Sequence, residues 1–244
     1  VLGLGRFEQF EITCRGPLDP TLNYVVDIKT VDRAVRHAVV PIVAAAFQAE
    51  AASGVPADPT QILSRCVRPL GAELAGRLNH IRWHLTPFLS VEICMSPTPA
   101  TAGAPGTALL RQKFEFAASH RLHVPRLSAE ANREAFGKCN HPSGHGHNYI
   151  IEPCVEVATD GSGSMSAGVL HRLCTETILD RYDHTYLNVD TPEFDPARGG
   201  VVPSVENIAK VFYDRLAPRV ASAGSRLVHM TVWESERTAA IYPG

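Results

Sequence analysis

From Ser96 to Gly106 the chain reads SPTPATAGAPG, dense in proline, glycine, alanine and threonine and without a hydrophobic period. Such a run packs neither as a helix stripe nor as an alternating strand, so it reads as a linker. It divides the 244 residues into a first part, 1–95, and a second, 107–244, with 96–106 between them. Both parts are of domain size.

The two parts share an order of elements. Each opens on two extended, β-prone segments: Arg6–Arg15 with Asn23–Ile28, and Asn148–Val157 with Met165–Val169. A helical stretch follows, Thr30–Phe47 and Leu170–Tyr182. A proline–hydroxyl pair then opens a second helix, at Pro59-Thr60 and at Pro203-Ser204, where the hydroxyl is a sound N-cap. Each part ends on a strand carrying a glutamate, Glu92 in the first and Glu234 in the second. The expectation is an α+β protein made of two unequal copies of one unit. The second copy has an additional front end, Leu109–Asn140.

Three histidines point to metal chemistry. His145 and His147 lead into a β-prone run, and residues i and i+2 of a strand share a face. Phe114, Phe116, Ala118 and His120 alternate in the same way, so two adjacent strands can present three imidazoles to one ion. Three histidines with an open fourth position form a catalytic zinc arrangement. Zinc so held is a Lewis acid, and the chemistry still needs a base. His123, His141 and His171 lack such spacing and read as surface or supporting residues; His37, His80 and His84 read as structural.

Cys139 lies in a loop of Asn, Pro, Ser and Gly that can turn its thiol back toward His145. A thiolate there, stabilised by zinc and by Lys138, can remove a carbon-bound proton; the spacing fits a free loop cysteine equally well. Asp183-His184 can hold a proton near neutral pH, although adjacent Asp-His pairs are common.

The formal net charge of -2 gives no electrostatic footprint for nucleic acid or a membrane surface. No apolar run approaches the roughly 20 residues that span a bilayer. The six cysteines form no CxxC pair, which reads as reduced thiols in the cytoplasm.

The runs Phe116–His120, Ser128–Asn132 and Phe136–Tyr149 closely resemble the 6-pyruvoyl-tetrahydropterin synthase family. So do Asp183-His184, Pro203–Ala209 and Val232–Glu234. The resemblance implies the T-fold, an antiparallel four-stranded sheet with two helices on one face, whose copies assemble as homo-oligomers into a β-barrel with sites between units. It implies His120, His145 and His147 as zinc ligands and Cys139 as the proton-abstracting thiolate. Asp183 and His184 would form a relay. Glu234 would anchor the pterin ring through paired N–H bonds, with Ser204 and Glu206 lining the pocket. The implied reaction is that of a carbon–oxygen lyase, from 7,8-dihydroneopterin triphosphate to 6-pyruvoyl-tetrahydropterin with loss of triphosphate.

The sequence departs from the family at Val205, usually small or hydroxylated, and at Met165–Gly168, which lacks the acidic or amide residue found there. The first copy resembles the family only as a degenerate unit: it has no HxH and no Asp-His pair but keeps Glu92, either as a second pterin anchor or as a structural carboxylate. Competing functions are the related 6-carboxy-tetrahydropterin synthase of queuosine synthesis, a pterin-binding module without turnover, and a metal-dependent hydrolase. The absence of an HExxH pattern weakens the last.

Overall fold

The computed structural model describes residues 8–95, 106–163 and 165–244. The segment expected as a linker therefore lies almost wholly outside the described residues. The chain forms two compact units, Val1–Arg111 with Glu156–Gly163, and Gln112–Val155 with Ser164–Gly244.

The first unit contains β1 (Gln9–Cys14), α1 (Ile28–Ala38), α2 (Val40–Ser53), α3 (Pro59–Glu73), β2 (Leu78–Thr86), β3 (Leu89–Cys94) and β4 (Thr107–Gln112). The strands lie in the order β1-β2-β3-β4, and the first two pairings are antiparallel. On β2 the alternation buries Ile81 and Trp83, and Trp83 meets Phe10 of β1 and Phe47 of α2. Arg82 therefore points to the opposite face, where it pairs with Glu92.

Helix boundaries follow the chain's hydrogen-bonding options rather than its β propensity. The expected strand at Asn23–Ile28 is absent, because the Asp27 carboxylate accepts from the Lys29 and Thr30 amides and starts α1. The long helix expected over Thr30–Phe47 breaks at Val39, since Pro41 has no N–H to continue the ladder. α3 is capped by Asp58 and not by Thr60, with Pro59 at its first position, where a missing N–H costs nothing.

The second unit contains β5 (Phe114–His120), α4 (Ala129–Phe136), β6 (His145–Ala158), α5 (Ala167–Cys174), α6 (Asp180–Tyr182), β7 (Thr185–Tyr186), α7 (Leu187–Asp190), α8 (Val205–Ser222), β8 (Arg226–Ser235) and β9 (Thr238–Tyr242). β5 and β6 are antiparallel, β7 runs parallel to β5, and β8 pairs with both β6 and β9. Here too the second expected strand, Met165–Val169, is replaced by a helix, because the Ser166 hydroxyl accepts from the Val169 amide. The expected helix Leu170–Tyr182 continues through a π turn at Thr175–Leu179. Ser204 caps α8 as expected. The closing strand with Glu234 is one arm of a hairpin, not a single strand.

The core of this unit is aromatic. Phe116 stacks on Tyr149 at 5.0 Å and meets Phe212 of α8 at 5.6 Å, and Phe212 meets Tyr182 at 4.7 Å. These contacts fasten the β5–β6 hairpin to α8. The unit is thus an α+β fold, a largely antiparallel sheet with helices.

The chain leaving β5 is held by one buried side chain. The Asn132 amide oxygen accepts from the Val124 amide, and its nitrogen donates to the carbonyls of Val124, Leu127 and Ser128. Asn132→Leu would strand these groups in the interior. We expect it to lower stability by about 2–3 kcal/mol, measured as a shifted urea midpoint with an unchanged slope.

Candidate metal and catalytic site

Register builds the site. In the β5–β6 pairing His120 stands opposite His145 and Ala118 opposite His147. Alternation then puts all three imidazoles on one face. The turn before His145 requires Gly144: its φ is +69°, and a Cβ there would lie 2.9 Å from the His120 carbonyl oxygen.

His120 is fully buried. Its Nδ1 donates to the Pro203 carbonyl at 2.7 Å, immediately before the cap of α8, and lies 3.3 Å from the Tyr149 hydroxyl. That bond places the proton on Nδ1 and leaves Nε2 as a lone-pair donor. Nε2 faces His145 Nε2 at 3.2 Å. The ligand atoms of His120, His145 and His147 all lie within 4.8 Å of one another. Tetrahedral ligands at 2.0–2.1 Å from zinc are about 3.3 Å apart, so the observed spacing fits a metal. His147 Nε2 is buried without a hydrogen-bond partner, an expensive arrangement that a bound cation would relieve. These three residues can hold a metal ion.

Burial, reinforced by the neighbouring imidazoles, pushes the His120 pKa down to about 4, against the opposing pull of the Pro203 carbonyl. Burial also lowers that of His147, opposed by Glu234. Both are therefore neutral at physiological pH, the form that can coordinate a metal. The Tyr149 phenol is shifted upward, chiefly by burial and further by the nearby Glu234 carboxylate.

Glu234, expected at the pterin ring, lies against the histidines. Its Oε1 is 3.3 Å from His120 Nε2 and 3.7 Å from His147 Nε2. Cys139 sits in the short 3-10 turn Gly137–Asn140 that directly follows α4, half-buried, with its carbonyl accepting from the Leu122 amide at 2.9 Å. Among the described residues no hydrogen bond joins its thiol to the histidines.

Asp183 and His184 follow α6. His184 Nδ1 is 2.9 Å from Asp183 Oδ1, which also accepts from the Ala117 amide at 2.9 Å. The Ala117 N–H, more than His184, holds the Asp183 carboxyl below its usual range. His184 has a left-handed φ of 57°, and its ring is largely exposed. A cleft of about 650 Å³ is bordered by His147, His184, Ser119, Asn148 and Tyr186. It brings His184 to the edge of the histidine cluster.

Ser204 spends its hydroxyl on the Asn207 amide as the cap of α8. Glu206, in the first turn of α8, is exposed and makes no hydrogen bond or ion pair among the described residues. In the first unit Glu92 is buried and engaged by Arg82, Arg111 and Cys94.

Two participants escaped the sequence reading. Tyr149 shares the face of His145 and His147 by the same period of two and was legible. The Pro203 carbonyl has no side-chain signature.

The sequence model of the 6-pyruvoyl tetrahydropterin synthase family matches residues 109–244. The chain belongs to that family. It is 35% identical over 139 residues to 6-pyruvoyl tetrahydrobiopterin synthase of Homo sapiens, covering 56% of this chain and 92% of that protein. The Dictyostelium discoideum enzyme of the same name is 32% identical over 140 residues, covering 57% and 97%. A 6-carboxy-5,6,7,8-tetrahydropterin synthase from Aquifex aeolicus is 26% identical over 157 residues, covering 54% and 96%. The solved 6-pyruvoyl tetrahydropterin synthase of Caenorhabditis elegans aligns with a TM-score of 0.51 at 29% identity, over 57% of this chain and 96% of that one. All three metal candidates, and all the other sequence-derived site residues of the second unit, fall inside the matched family region.

The depressed His120 pKa has a thermodynamic consequence. An unfolded histidine titrates near 6.5 and the folded one at about 4. Between these values the unfolded chain binds the proton that the folded chain refuses. Stability of the metal-free protein should therefore fall as pH drops from about 6.5 to about 4, by on the order of 3 kcal/mol from this group, and level off below. Denaturation midpoints across that range, with NMR showing His120 still neutral at pH 5, would check it.

Proposed function

We propose that this chain is a zinc-dependent carbon–oxygen lyase that converts 7,8-dihydroneopterin triphosphate to 6-pyruvoyl-tetrahydropterin and releases triphosphate, a step of tetrahydrobiopterin-type synthesis. The observation that carries this reading is the three-imidazole cluster across the β5–β6 hairpin, with Cys139, Asp183 and His184 in the same unit.

His120, His145 and His147 hold the metal, which when bound supplies a Lewis acid for substrate oxygen. Cys139 takes a carbon-bound proton as thiolate. His184, oriented by Asp183, carries the second proton transfer from the cleft it shares with His147. Proton shifts along the side chain end with cleavage of the C–O bond to triphosphate. Glu234 was expected to anchor the pterin ring; its position against His120 and His147 favours contact with the side-chain end of the substrate. Glu206, exposed and unpaired, is then the carboxylate at the α8 start that accepts the paired ring N–H bonds, beside Ser204.

The same reading makes residues 1–95 a degenerate T-fold unit without zinc ligands, 96–106 a linker, and 107–244 the catalytic unit. These would assemble as a cytoplasmic homo-oligomeric barrel with sites between units. No described helix is long and apolar enough to cross a membrane. The Aquifex aeolicus match favours the 6-carboxy product as the second reading.

His147→Ala should lose zinc by elemental analysis. Cys139→Ala should keep zinc and lose turnover by roughly 10²–10⁴-fold; a near-normal rate would remove Cys139 from the mechanism. Mass analysis of the product decides the branch. 6-Pyruvoyl-tetrahydropterin with free triphosphate supports the lyase, 6-carboxy-tetrahydropterin with acetaldehyde moves the chain to the second reading, and bound but unchanged pterin leaves only a binding module.

A further inference from the structure

His120 is held at the ring nitrogen that does not face the histidine cluster. Its Nδ1 carries one proton and lies near two oxygens, the Pro203 carbonyl at 2.7 Å and the Tyr149 hydroxyl at 3.3 Å. The first distance is that of a strong bond. The second is that of a weaker share of the same proton, a three-centre pattern. The opposite arrangement, in which the hydroxyl donates to Nδ1, would put the imidazole proton on Nε2. It would leave the Pro203 carbonyl without that donor and block the coordinating atom.

The surroundings of Tyr149 fix where its hydroxyl lies. The side chain is fully buried, stands opposite Phe116 in the β5–β6 register and stacks on it at 5.0 Å with an interplanar angle of 13°. A ring packed in this way cannot swing its hydroxyl out to solvent. The same ring meets the His147 imidazole at 5.5 Å and 65°. One side chain thus touches two of the three candidate ligands, His120 through its hydroxyl and His147 through its ring. His145 differs: its Nδ1 is buried and has no hydrogen-bond partner among the described residues. His120 is therefore the anchored member of the cluster, and Tyr149 supplies part of the anchor.

We propose that Tyr149 is a positioning residue for the metal site. Its hydroxyl accepts a share of the His120 Nδ1 proton and its ring backs His147, so both imidazoles stand in place, and His120 in its coordinating tautomer, before a metal binds. One acceptor fixes the direction of an N–H bond; a second also restrains rotation of the ring about that direction. The proposal rests on the metal reading of the three histidines and is independent of which pterin product is formed.

The test is zinc affinity, read by competition with a chromophoric chelator on the demetallated full chain. Tyr149→Phe removes the hydroxyl and keeps the ring, and circular dichroism verifies the fold. It should bind zinc roughly tenfold or more weakly. Phe212→Leu is the control for packing. It loosens the same aromatic core from the α8 side, so it should lower the melting midpoint and leave zinc affinity unchanged.

A loss in Tyr149→Phe that Phe212→Leu does not share supports the proposal. Unchanged affinity in Tyr149→Phe overturns it. So does a loss that Phe212→Leu shares equally, which is packing alone, and so does tighter binding, which means that the hydroxyl donates to Nδ1. Failure of the metal reading looks different: the unmodified chain itself then takes up no zinc, and the proposal falls with it.

Discussion

The buried hydrogen bond from His120 Nδ1 to the Pro203 carbonyl ties the sheet to the start of α8. It does three things at once. It satisfies a polar atom in a fully buried side chain, whose unpaired burial would cost on the order of 1–3 kcal/mol. It selects the tautomer that leaves Nε2 free to coordinate. It also sets the helix that Ser204 caps and whose first turn carries Glu206 at a fixed place relative to the imidazoles.

Around that bond the second unit has a division of labour. The aromatic cluster of Phe116, Tyr149, Phe212 and Tyr182 supplies rigidity through close packing. The β5–β6 register supplies the ligand geometry. Two polar anchors then place the connecting segments: Asn132 binds the chain that leaves His120, and Asp183 binds the Ala117 amide of β5. A site that must hold three neutral imidazoles together is electrostatically undemanding until a cation arrives. The lowered pKa values of His120 and His147 keep it so at neutral pH.

The first unit joins helices to a β2–β3 hairpin. On that hairpin Glu92 faces Arg82 and Arg111, a charge-compensated arrangement in which each oxygen already has a donor. Buried charge so paired is retained at little net cost, whereas a free carboxylate at that depth would not be.

Much of the site was legible in the sequence because its determinants are local. The period of two in Phe114–His120 and in His145–Tyr149 dictates which side chains share a face, so the clustering of the three histidines followed from spacing. Ser204 followed from capping chemistry in the same way. The misplaced strands at Asn23–Ile28 and Met165–Val169 show where local propensity loses: a single Asp or Ser that accepts first-turn amides outweighs β-branched neighbours. What only the tertiary structure decided are contacts between residues far apart in the chain. The Pro203 carbonyl meets His120 across 83 residues, and a backbone acceptor leaves no residue type to recognise. Glu234 reached the histidines because β8 pairs beside β6, a neighbour order that no property of the glutamate announces.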